Sequence, residues 1–328
     1  MQAATYRAYG PPEVLRIEDM ARPTPKSGEV LVRVRASSVT SGDTRIRGFK
    51  EPGVFWLPLR LMLGLFAPRN PIAGMEFSGE IEAMGEAVTQ FQVGEPVFGM
   101  TWLHGANAEF TAIPADALIA TKPDMLTDAE AAAIPFGALS ALVFLRDLGR
   151  VQPGQKVLIY GASGSVGVFA IQLAKHFGAE VTGVCSTVNV DMVRSLGANH
   201  VIDYKNEDFT RQGKTYDLIF DTVGTTSFFR CRPALTPHGR HLFLSGGLTQ
   251  ILQALWTSMR RGKRVIFGVP SNKRSDLLMV KGLIEDGTIR PVIDRTYALN
   301  DIVEAHRYVD TGRKKGSVII TMDGLAQG

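Results

Sequence analysis

The stretch Lys156-Val-Leu-Ile-Tyr-Gly161-Ala-Ser-Gly164-Ser-Val-Gly167 decides the fold of this chain. Its short apolar run ends in three evenly spaced glycines, the pattern of a buried strand that turns directly into a helix. In such a turn Gly161 permits the tight bend, Gly164 lets a pyrophosphate approach the backbone, and Gly167 lets the helix pack on the strand. The spacing is G-x-x-G-x-x-G rather than G-x-G-x-x-G. Because this spacing is the weaker match, the prediction depends on the position of the glycines between a strand and a helix N-terminus. That position favours a dinucleotide site over a purely structural turn.

Strands and helices alternate along the chain after this turn. A helix is predicted over Ser165–Phe177, closed by Gly178 as its C-cap, and another over Val190–Leu196. Six short apolar strands with helical crossovers predict an α/β fold with a doubly wound parallel sheet. The predicted strands are Lys156–Tyr160, Glu180–Val184, His200–Ile202, Tyr216–Phe220, Arg240–Leu244 and Arg264–Val269.

The residues on either side of this alternation have a different pattern. Glu29–Arg35 alternates polar with apolar residues, as a half-buried strand does, and Thr127 is an N-cap candidate where the period becomes helical. The changes of period predict a small β domain over residues 1–124, a dinucleotide-binding domain over 125–265, and a C-terminal part of mixed structure over 266–328. Further predicted elements are strands at Gly79–Ala83, Pro96–Met100, Ala108–Ile113 and Ser317–Thr321 and helices at Asp276–Glu285 and Asn300–Asp310.

Composition limits the class of protein. The chain has 328 residues, 45% hydrophobic and 21% charged, as expected for a folded protein of about two domains. Its two cysteines, Cys185 and Cys231, are too few for a disulfide framework and favour a reducing compartment. The basic residues behind the net charge of +4 are spread along the chain, so no nucleic acid is expected as a partner. No apolar signal segment follows Met1, and we expect a cytoplasmic protein.

The apolar stretch Val54–Ala67 has three interpretations. It is interrupted by Pro58 and Arg60 and is shorter than the roughly 20 residues of a spanning helix, so no transmembrane segment is expected. A flap over an apolar ligand, an amphipathic patch on a membrane surface and ordinary core packing all remain open.

The turn after the second predicted parallel strand bears on the choice between NAD and NADP. It reads Val184-Cys-Ser-Thr-Val-Asn189 and has no carboxylate to hold two ribose hydroxyls. The hydroxyls of Ser186 and Thr187 could donate to a 2′-phosphate, although no Arg or Lys stands in the turn. The sequence favours NADP(H) over NAD.

Metal and nucleophile chemistry find little support in the sequence. No H-E-x-x-H, C-x-x-C or G-x-S-x-G motif is present, which argues against a zinc hydrolase and a serine hydrolase. The two cysteines are interpreted as small core residues. His238 and His241 flank a Pro-His-Gly-Arg turn, and a solvent-facing position is expected for both.

With these residues, the chain resembles the medium-chain dehydrogenase/reductase superfamily, in its zinc-independent quinone oxidoreductase (zeta-crystallin-like) branch. The resemblance covers about residues 1–322. It rests on Pro23-x-Pro25-x-x-Gly28 with the strand that follows, on Val93-Gly94-Glu95-x-Val97, and on a signature around the glycine turn. The matching signature residues are Gly154, Gln155, Leu158, Ala162, Ser163, Gly164, Val166, Gly167, Gln172 and Lys175, with Ser165 where a second glycine is usual.

One departure from the wider superfamily concerns zinc. Gly74-Met75-Glu76-x-x-Gly79 reproduces the zinc alcohol dehydrogenase motif except that Met75 replaces the ligand histidine. The segment Ser38–Asp43, where the ligand cysteine would fall, contains no thiol. Two lost ligands leave too few for catalytic zinc, and no metal residues are predicted.

The resemblance implies a GroES-like β-barrel catalytic domain, completed by residues 266–328, and a Rossmann domain that binds NADP(H). Thr40, Asp43 and Ser140 would face the nicotinamide or the substrate, and Asp43 would be the nearest general acid unless it only caps a helix. Val188 stands where relatives often carry a basic residue, which weakens the expected preference for NADPH. The implied cofactor residues are Ser163, Gly164, Ser165 and Val166 at the pyrophosphate, Ser186, Thr187 and Tyr204 at the 2′-phosphate, and Val223, Gly224, Ser245, Gly246, Gly247, Phe267 and Val269 along the nicotinamide half.

The implied activity is zinc-independent hydride transfer from NADPH to a quinone or an α,β-unsaturated carbonyl. Such electrophilic small molecules accept hydride once they are held in line with the nicotinamide, so positioning and a few hydrogen bonds suffice. One alternative is a non-catalytic NADPH-binding protein, crystallin-like or RNA-binding. Another is a zinc-free reductase or dehydrogenase of a different carbonyl or alcohol. A homodimer is compatible with the resemblance.

Overall fold

A computed structural model describes residues 1–49, 53–101, 105–268 and 271–322, apart from the side chain of Val54. The chain divides into two compact units, each described by itself. The first unit contains Met1–Phe136, Asn272–Gly287 and the residues from Pro291 on, and the second contains Gly137–Ser271 and Thr288–Arg290.

The elements in chain order are as follows. The strands are β1 Gln2–Tyr6, β2 Leu15–Asp19, β3 Glu29–Val39, β4 Glu76–Met84, β5 Pro96–Met100, β6 Phe110–Pro114, β7 Ile119–Thr121, β8 Lys156–Tyr160, β9 Glu180–Cys185, β10 His200–Asp203, β11 Tyr216–Asp221, β12 Leu235–Phe243, β13 Arg264–Phe267, β14 Ile293–Ala298 and β15 Ser317–Thr321. The helices are α1 Ser41–Gly48, α2 Gly53–Leu63, α3 Asp128–Ala132, α4 Pro135–Leu142, α5 Ser165–His176, α6 Val190–Ser195, α7 Phe228–Cys231, α8 Leu248–Ser258, α9 Arg274–Glu285 and α10 Ile302–Asp310.

The second unit is built on a six-stranded parallel sheet in the order β10-β9-β8-β11-β12-β13. The order reverses between β8 and β11, because β9 and β10 extend the sheet on one side of β8 and the later strands extend it on the other. Val157, Leu158 and Ile159 of β8 have no exposed surface, as expected for a parallel strand covered on both faces. The predicted doubly wound α/β sheet is confirmed.

The first unit contains a seven-stranded sheet assembled from both ends of the chain. Its path is β14-β15-β3-β4-β5-β7, and β6 pairs with β3. The C-terminal strand β15 runs parallel to β14 and antiparallel to β3. Val32, Phe77, Ile81 and Val97 form part of its buried apolar core. β1 and β2 form a separate antiparallel pair, which was not predicted.

The units divide at Phe136 and Ser271, whereas the sequence pattern changes at 124 and 265. The short helix α3 begins at the capping box of Thr127 and Glu130 and packs against β3 and β4 of the first unit. A change of period marks where helical sequence begins. It does not mark which core that helix joins.

The expectation for His241 is wrong. β12 continues through the residues interpreted as a turn, and His241 has no exposed surface, whereas His238 is exposed. The strand pairs with β11 at Leu235, departs from regular register, and resumes at Arg240. The turn residues therefore form an irregularity inside a strand, because pairing on both sides overrides their local preference.

The apolar stretch 54–67 lies in α2 and the residues after it. Leu63 is buried, but Leu57, Leu61 and Phe66 are exposed, so core packing accounts for only part of the stretch. Within the described ranges, no helix has both the length and the apolar character to cross a membrane.

An ion pair joins α1 to α10 inside the first unit. The Arg47 side chain is 1% exposed, and its Nη2 lies 2.5 Å from Oδ2 of Asp310. Its Nε also donates to the carbonyl of Gly10 at 3.2 Å. The charge on Arg47 is therefore compensated chiefly by one carboxylate near the chain's C-terminus.

We predict that Asp310→Asn destabilises the protein by about 3 kcal/mol, because it leaves the Arg47 guanidinium buried without its counter-charge. Equilibrium unfolding in urea measures the change. Asp191→Asn is the control, since Asp191 pairs with Arg194 at a fully hydrated position and should leave the unfolding midpoint unchanged. Equal midpoints for the two variants would show that the buried pair does not stabilise the fold.

Candidate functional site

The turn between β8 and α5 has the geometry that its glycines predict. Gly161 has φ +81°, a left-handed conformation that favours glycine. A Cβ on Gly167 would lie 2.2 Å from the carbonyl oxygen of Gly161, so only glycine lets α5 approach the strand this closely. At Gly164 a Cβ would meet nothing nearer than 3.5 Å, which leaves that side of the turn open. The backbone can thus be approached by a ligand at Gly164.

The N-terminus of α5 is available to an anion. Gly164 is the N-cap, and no described side chain caps the helix. The backbone N–H groups of the first turn and the positive end of the helix dipole are directed beyond Ser165 and Val166. Ser163 precedes the cap. The four residues predicted to hold a pyrophosphate thus form one continuous turn at a helix N-terminus.

Close backbone approaches join the loops at the carboxyl ends of the neighbouring strands. A Cβ on Gly161 would lie 2.4 Å from Val223, and one on Gly224 would lie 2.9 Å from the carbonyl oxygen of Ser245. A Cβ on Gly246 would lie 3.0 Å from the Phe267 ring. The structure therefore brings the residues predicted for the nicotinamide half together at one edge of the sheet. Gly247 follows in the same loop as the N-cap of α8, and Val269 lies outside the described residues.

Asn189 links the turns after β8 and β9. Its Nδ2 donates to Oγ of Ser163 at 3.0 Å and to Oγ of Ser186 at 3.2 Å. Its buried Oδ1 has no hydrogen-bond donor among the described residues. A ligand hydroxyl lying across these two turns would supply one. Val188, which precedes Asn189, is 73% exposed and contributes no charge.

Asp203 stands at the end of β10 beside the turn after β9, and the sequence analysis did not single it out. The Thr187 hydroxyl donates to its Oδ2 at 2.6 Å and holds the pKa of this carboxyl below its usual range, with help from the Lys205 backbone N–H and ammonium group. The backbone N–H of Lys205 donates to Oδ1 at 3.0 Å, and Asn206 donates to Oδ2. Tyr204, in the same loop, is half exposed. Asp203 therefore orders a loop that carries Tyr204 and Lys205.

Asp221 shapes the loop after β11 and was also missed. It has no exposed surface, and its Oδ1 accepts from the backbone N–H groups of Val223 and Gly224 at 2.9 and 2.8 Å. Its Oδ2 accepts from both the N–H and the hydroxyl of Thr226. Thr226 also contacts Nε2 of His241, whose pKa burial lowers to about 4. A carboxylate at the last position of a buried strand was the available signal for Asp203 and Asp221 alike.

Thr40 and Asp43 lie together at the start of α1 in the first unit. Thr40 is the N-cap, and its Oγ1 accepts from the Asp43 N–H at 3.1 Å. Oδ2 of Asp43 accepts from the Thr40 N–H at 2.7 Å and from its hydroxyl at 2.6 Å. Asp43 is therefore the third residue of a capping box and not the N-cap itself. Ser140, the third predicted catalytic residue, is buried in α4 of the second unit.

Side chains of the first unit fill the positions that the zinc motif would use. Ser38 donates through a short hydrogen bond to Oε2 of Glu76, and Oε1 of Glu76 accepts from the Phe136 N–H at 2.5 Å. Met75 is 5% exposed, and its methyl group lies against Gly42. No group of three or more His, Cys, Asp or Glu residues in the described ranges could hold a metal ion.

The two cysteines are inert by position. Cys185 ends β9, Cys231 ends α7, and both are buried. Burial raises the pKa of each thiol to about 11, so neither is a thiolate near neutral pH.

Known proteins share this arrangement along nearly the whole chain. The family model of the alcohol dehydrogenase GroES-like domain matches residues 26–124, and that of the zinc-binding dehydrogenases matches residues 196–320. The mitochondrial NAD(P)H oxidoreductase RTN4IP1 of Mus musculus is 31% identical over an alignment that covers 98% of this chain and 89% of that protein. The 2-methylene-furan-3-one reductase of Solanum lycopersicum is 31% identical, covering 98% of this chain and 79% of that protein.

Solved structures agree with the sequence relatives. The quinone oxidoreductase of Coxiella burnetii superposes with a TM-score of 0.86 at 27% identity, covering 98% of this chain and 99% of that one. The parallel sheet with its glycine turn and the GroES-like unit are therefore both features of a known architecture. The chain belongs to the medium-chain dehydrogenase/reductase superfamily, among the relatives of the quinone oxidoreductases, and is an oxidoreductase.

Proposed function

We propose that this protein is a zinc-independent, NADP(H)-dependent oxidoreductase that transfers hydride to a quinone or an α,β-unsaturated carbonyl. The observation that carries the proposal is the Ser38–Glu76 hydrogen bond beside Met75, at the positions where a zinc dehydrogenase would hold its metal. Among the relatives, one is named a quinone oxidoreductase, and another reduces a furanone whose name describes a carbonyl conjugated with a methylene group. Both names denote acceptors that need no metal to receive hydride.

The residues of the second unit fit a dinucleotide cofactor. A phosphate would fit at the open side of Gly164, against the uncapped N-terminus of α5. A ribose hydroxyl could donate to Oδ1 of Asn189, which has no donor among the described residues. When bound, the nicotinamide supplies the hydride. The remaining proposed contacts are Ser163, Ser165 and Val166 with the pyrophosphate, and Val223, Gly224, Ser245, Gly246, Gly247, Phe267 and Val269 with the nicotinamide half.

The preference for NADP(H) is supported by the loop after β10. Ser186, Thr187 and Tyr204 are the proposed neighbours of the 2′-phosphate, and the structure adds Lys205 as a cation beside them. Both oxygens of Asp203 already accept hydrogen bonds from this loop, so the carboxylate is engaged in ordering it. The Lys205 ammonium offsets the charge of Asp203 and is the cation that a phosphate beside this loop would meet.

Zinc does not fit the first unit. The thioether of Met75 stands in place of an imidazole, and the segment Ser38–Asp43 offers no thiol. The Glu76 carboxyl group already accepts hydrogen bonds from Ser38 and Phe136. Burial also raises the pKa of Glu76 to about 7, which favours the protonated carboxyl over the ionised ligand that a metal needs. We derive no catalytic step through a metal.

Thr40 and Asp43 are proposed to deliver the proton that completes the reduction. Burial raises the pKa of Asp43 to about 6, although its hydrogen bonds with Thr40 act in the opposite direction. Near neutral pH this carboxyl therefore holds and releases a proton, and the Thr40 hydroxyl joins it by a 2.6 Å hydrogen bond. Ser140 is proposed as a second hydroxyl facing the reacting atoms.

We predict NADPH oxidation with quinones and enones, unchanged by a metal chelator, and no stoichiometric zinc by metal analysis. Initial rates against a panel of quinones, enones and simple aldehydes test the reaction, and light scattering of the same preparation tests for the homodimer. Activity with aldehydes alone would favour a different carbonyl reductase. One tightly bound zinc per chain would overturn the interpretation of Met75.

We predict that Lys205→Ala weakens NADPH binding about tenfold and leaves NADH binding unchanged, because the lost ammonium would attract the 2′-phosphate, which NADH lacks. Fluorescence titration of both cofactors measures the two affinities. Lys214→Ala is the matched control, since Lys214 is exposed just before the start of β11 and so lies at the opposite edge of the sheet. Equal loss for NADPH and NADH would show that Lys205 does not read the phosphate.

We predict that Asp43→Asn lowers kcat about a hundredfold and removes its pH dependence above pH 6. The acid form of Asp43 dominates below its pKa of about 6, so the wild-type rate should fall as the pH rises through that value. Asparagine can still accept from Thr40 and so keeps the helix cap. Thr40→Ser, which keeps both cap and hydroxyl, should retain the wild-type profile. An unchanged profile in Asp43→Asn would exclude the proposed proton donor.

A further inference from the structure

A cluster of exposed apolar side chains covers the segment Gly53–Ala67, here named the α2 cap. Leu57, Leu61 and Phe66 are 53, 57 and 87% exposed. Large apolar side chains in one short segment of a globular protein are seldom left in water unless the surface contacts something. The other exposed apolar residues of the cap are Trp56, Met62 and Leu65.

The only charged side chain in the cap points away from this apolar surface. The guanidinium of Arg60 lies 4.1 Å from the ring centres of both Tyr9 and Phe49 and 5.3 Å from that of Trp56. Its Nη1 donates to the carbonyl of Leu65 at 2.9 Å. Stacking on aromatic faces stabilises the cation and keeps it against the body of the first unit. The cap thereby presents apolar groups outward and its charge inward.

Hydrogen bonds hold the cap in this orientation. The Tyr9 hydroxyl donates to the carbonyl of Gly64 at 3.0 Å, and Arg69 donates to the carbonyl of Leu61 at 2.8 Å. Leu63 is buried beneath the helix. The exposed side chains are thus carried by an anchored element, and their exposure is a property of the folded unit.

The sequence around the cap is rich in basic residues. Residues 44–75 contain five basic side chains, Arg45, Arg47, Lys50, Arg60 and Arg69, and one acidic one, Glu51. Their balance of +4 equals the net charge of the whole chain, so the rest of the sequence is neutral overall. Arg47 is buried in its ion pair with Asp310, and Arg60 is stacked inward. Arg69 is exposed and Arg45 is half-buried, so these two are the described cations of the segment that remain at the surface.

We propose that the α2 cap binds the surface of an anionic lipid bilayer, with its apolar side chains in the interface and Arg45 and Arg69 near the headgroups. Apolar insertion and attraction to acidic lipids are the two components of such binding. The eleven residues of α2 are too few to span a bilayer, so the helix would lie along the interface. A second copy of this chain is a poorer occupant, because two caps of the same positive charge would face each other.

Co-sedimentation of the full chain with lipid vesicles tests the proposal. We expect stronger binding to mixed phosphatidylcholine–phosphatidylserine vesicles than to phosphatidylcholine vesicles, and weaker binding as salt is added, because headgroup attraction is screened. Fluorescence of Trp56 should shift to the blue with the mixed vesicles, and Trp56→Phe should remove that shift. Absence of binding to the mixed vesicles would overturn the proposal.

Matched variants separate the cap from the rest of the surface. Leu61→Glu should lower the vesicle partition coefficient about tenfold or more, because it replaces an inserted side chain by a charge that the lipid repels. Leu278→Glu is the control, since Leu278 is 47% exposed on α9, outside the cap. Thermal unfolding midpoints confirm that both variants are folded.

Two results with the variants would contradict the proposal. Equal vesicle binding by Leu61→Glu and Leu278→Glu would show that the cap does not insert. Unchanged vesicle binding together with a raised KM for apolar acceptors in Leu61→Glu would assign the cap to substrate binding instead. Because vesicle binding is measured without cofactor or acceptor, its failure is distinguishable from failure of the proposed reaction.

Discussion

The contact between α5 and the carbonyl of Gly161 is the constraint on which the second unit depends. Since Gly167 has no Cβ, the helix begins immediately beside β8, and its N-terminus lies where the strand order reverses between β8 and β11. Loops from both halves of the sheet then reach the same edge. Val223 fits against Gly161 and Ser245 against Gly224 only because both glycines lack side chains. One close approach thus sets the position of the phosphate cradle, and two others align the loops beside it.

The sequence predicted the parts of the fold that local pattern determines. All six parallel strands were expected at positions within a few residues of those observed, because buried parallel strands are short apolar runs between glycine-bearing turns. β12 was underestimated, since its N-terminal half contains turn-forming residues that lie between pairing with β11 at Leu235 and renewed pairing from Arg240. The β1–β2 pair was missed because its register depends on partners distant from any local signal.

The candidate site was predictable to a lesser extent. Glycines at 161, 164 and 167 indicated the turn that is proposed to hold the phosphates, whereas Asp203 and Asp221 act through hydrogen bonds to loops that only the folded sheet brings near. The sequence suggested no cation near the adenosine end, since Lys205 follows β10 and not β9. In the first unit, the absence of a ligand histidine and cysteine was visible in the sequence. The hydrogen bond between Ser38 and Glu76 was visible only in the structure.

The position of β15 has a consequence for folding during synthesis. This strand lies between β14 and β3 in the sheet of the first unit, and Thr321 pairs with Ala36 across most of the chain length. The second unit lacks only the short segment Thr288–Arg290 when its main segment ends at Ser271, but the N-terminal strands must wait for residues made last. Until then Ala36–Val39 of β3 lack the strand that pairs with them. The central unit can therefore fold before the first unit, although the N-terminal strands of the first unit are synthesised earlier. The nascent N-terminal part is then the portion most exposed to aggregation and chaperone capture.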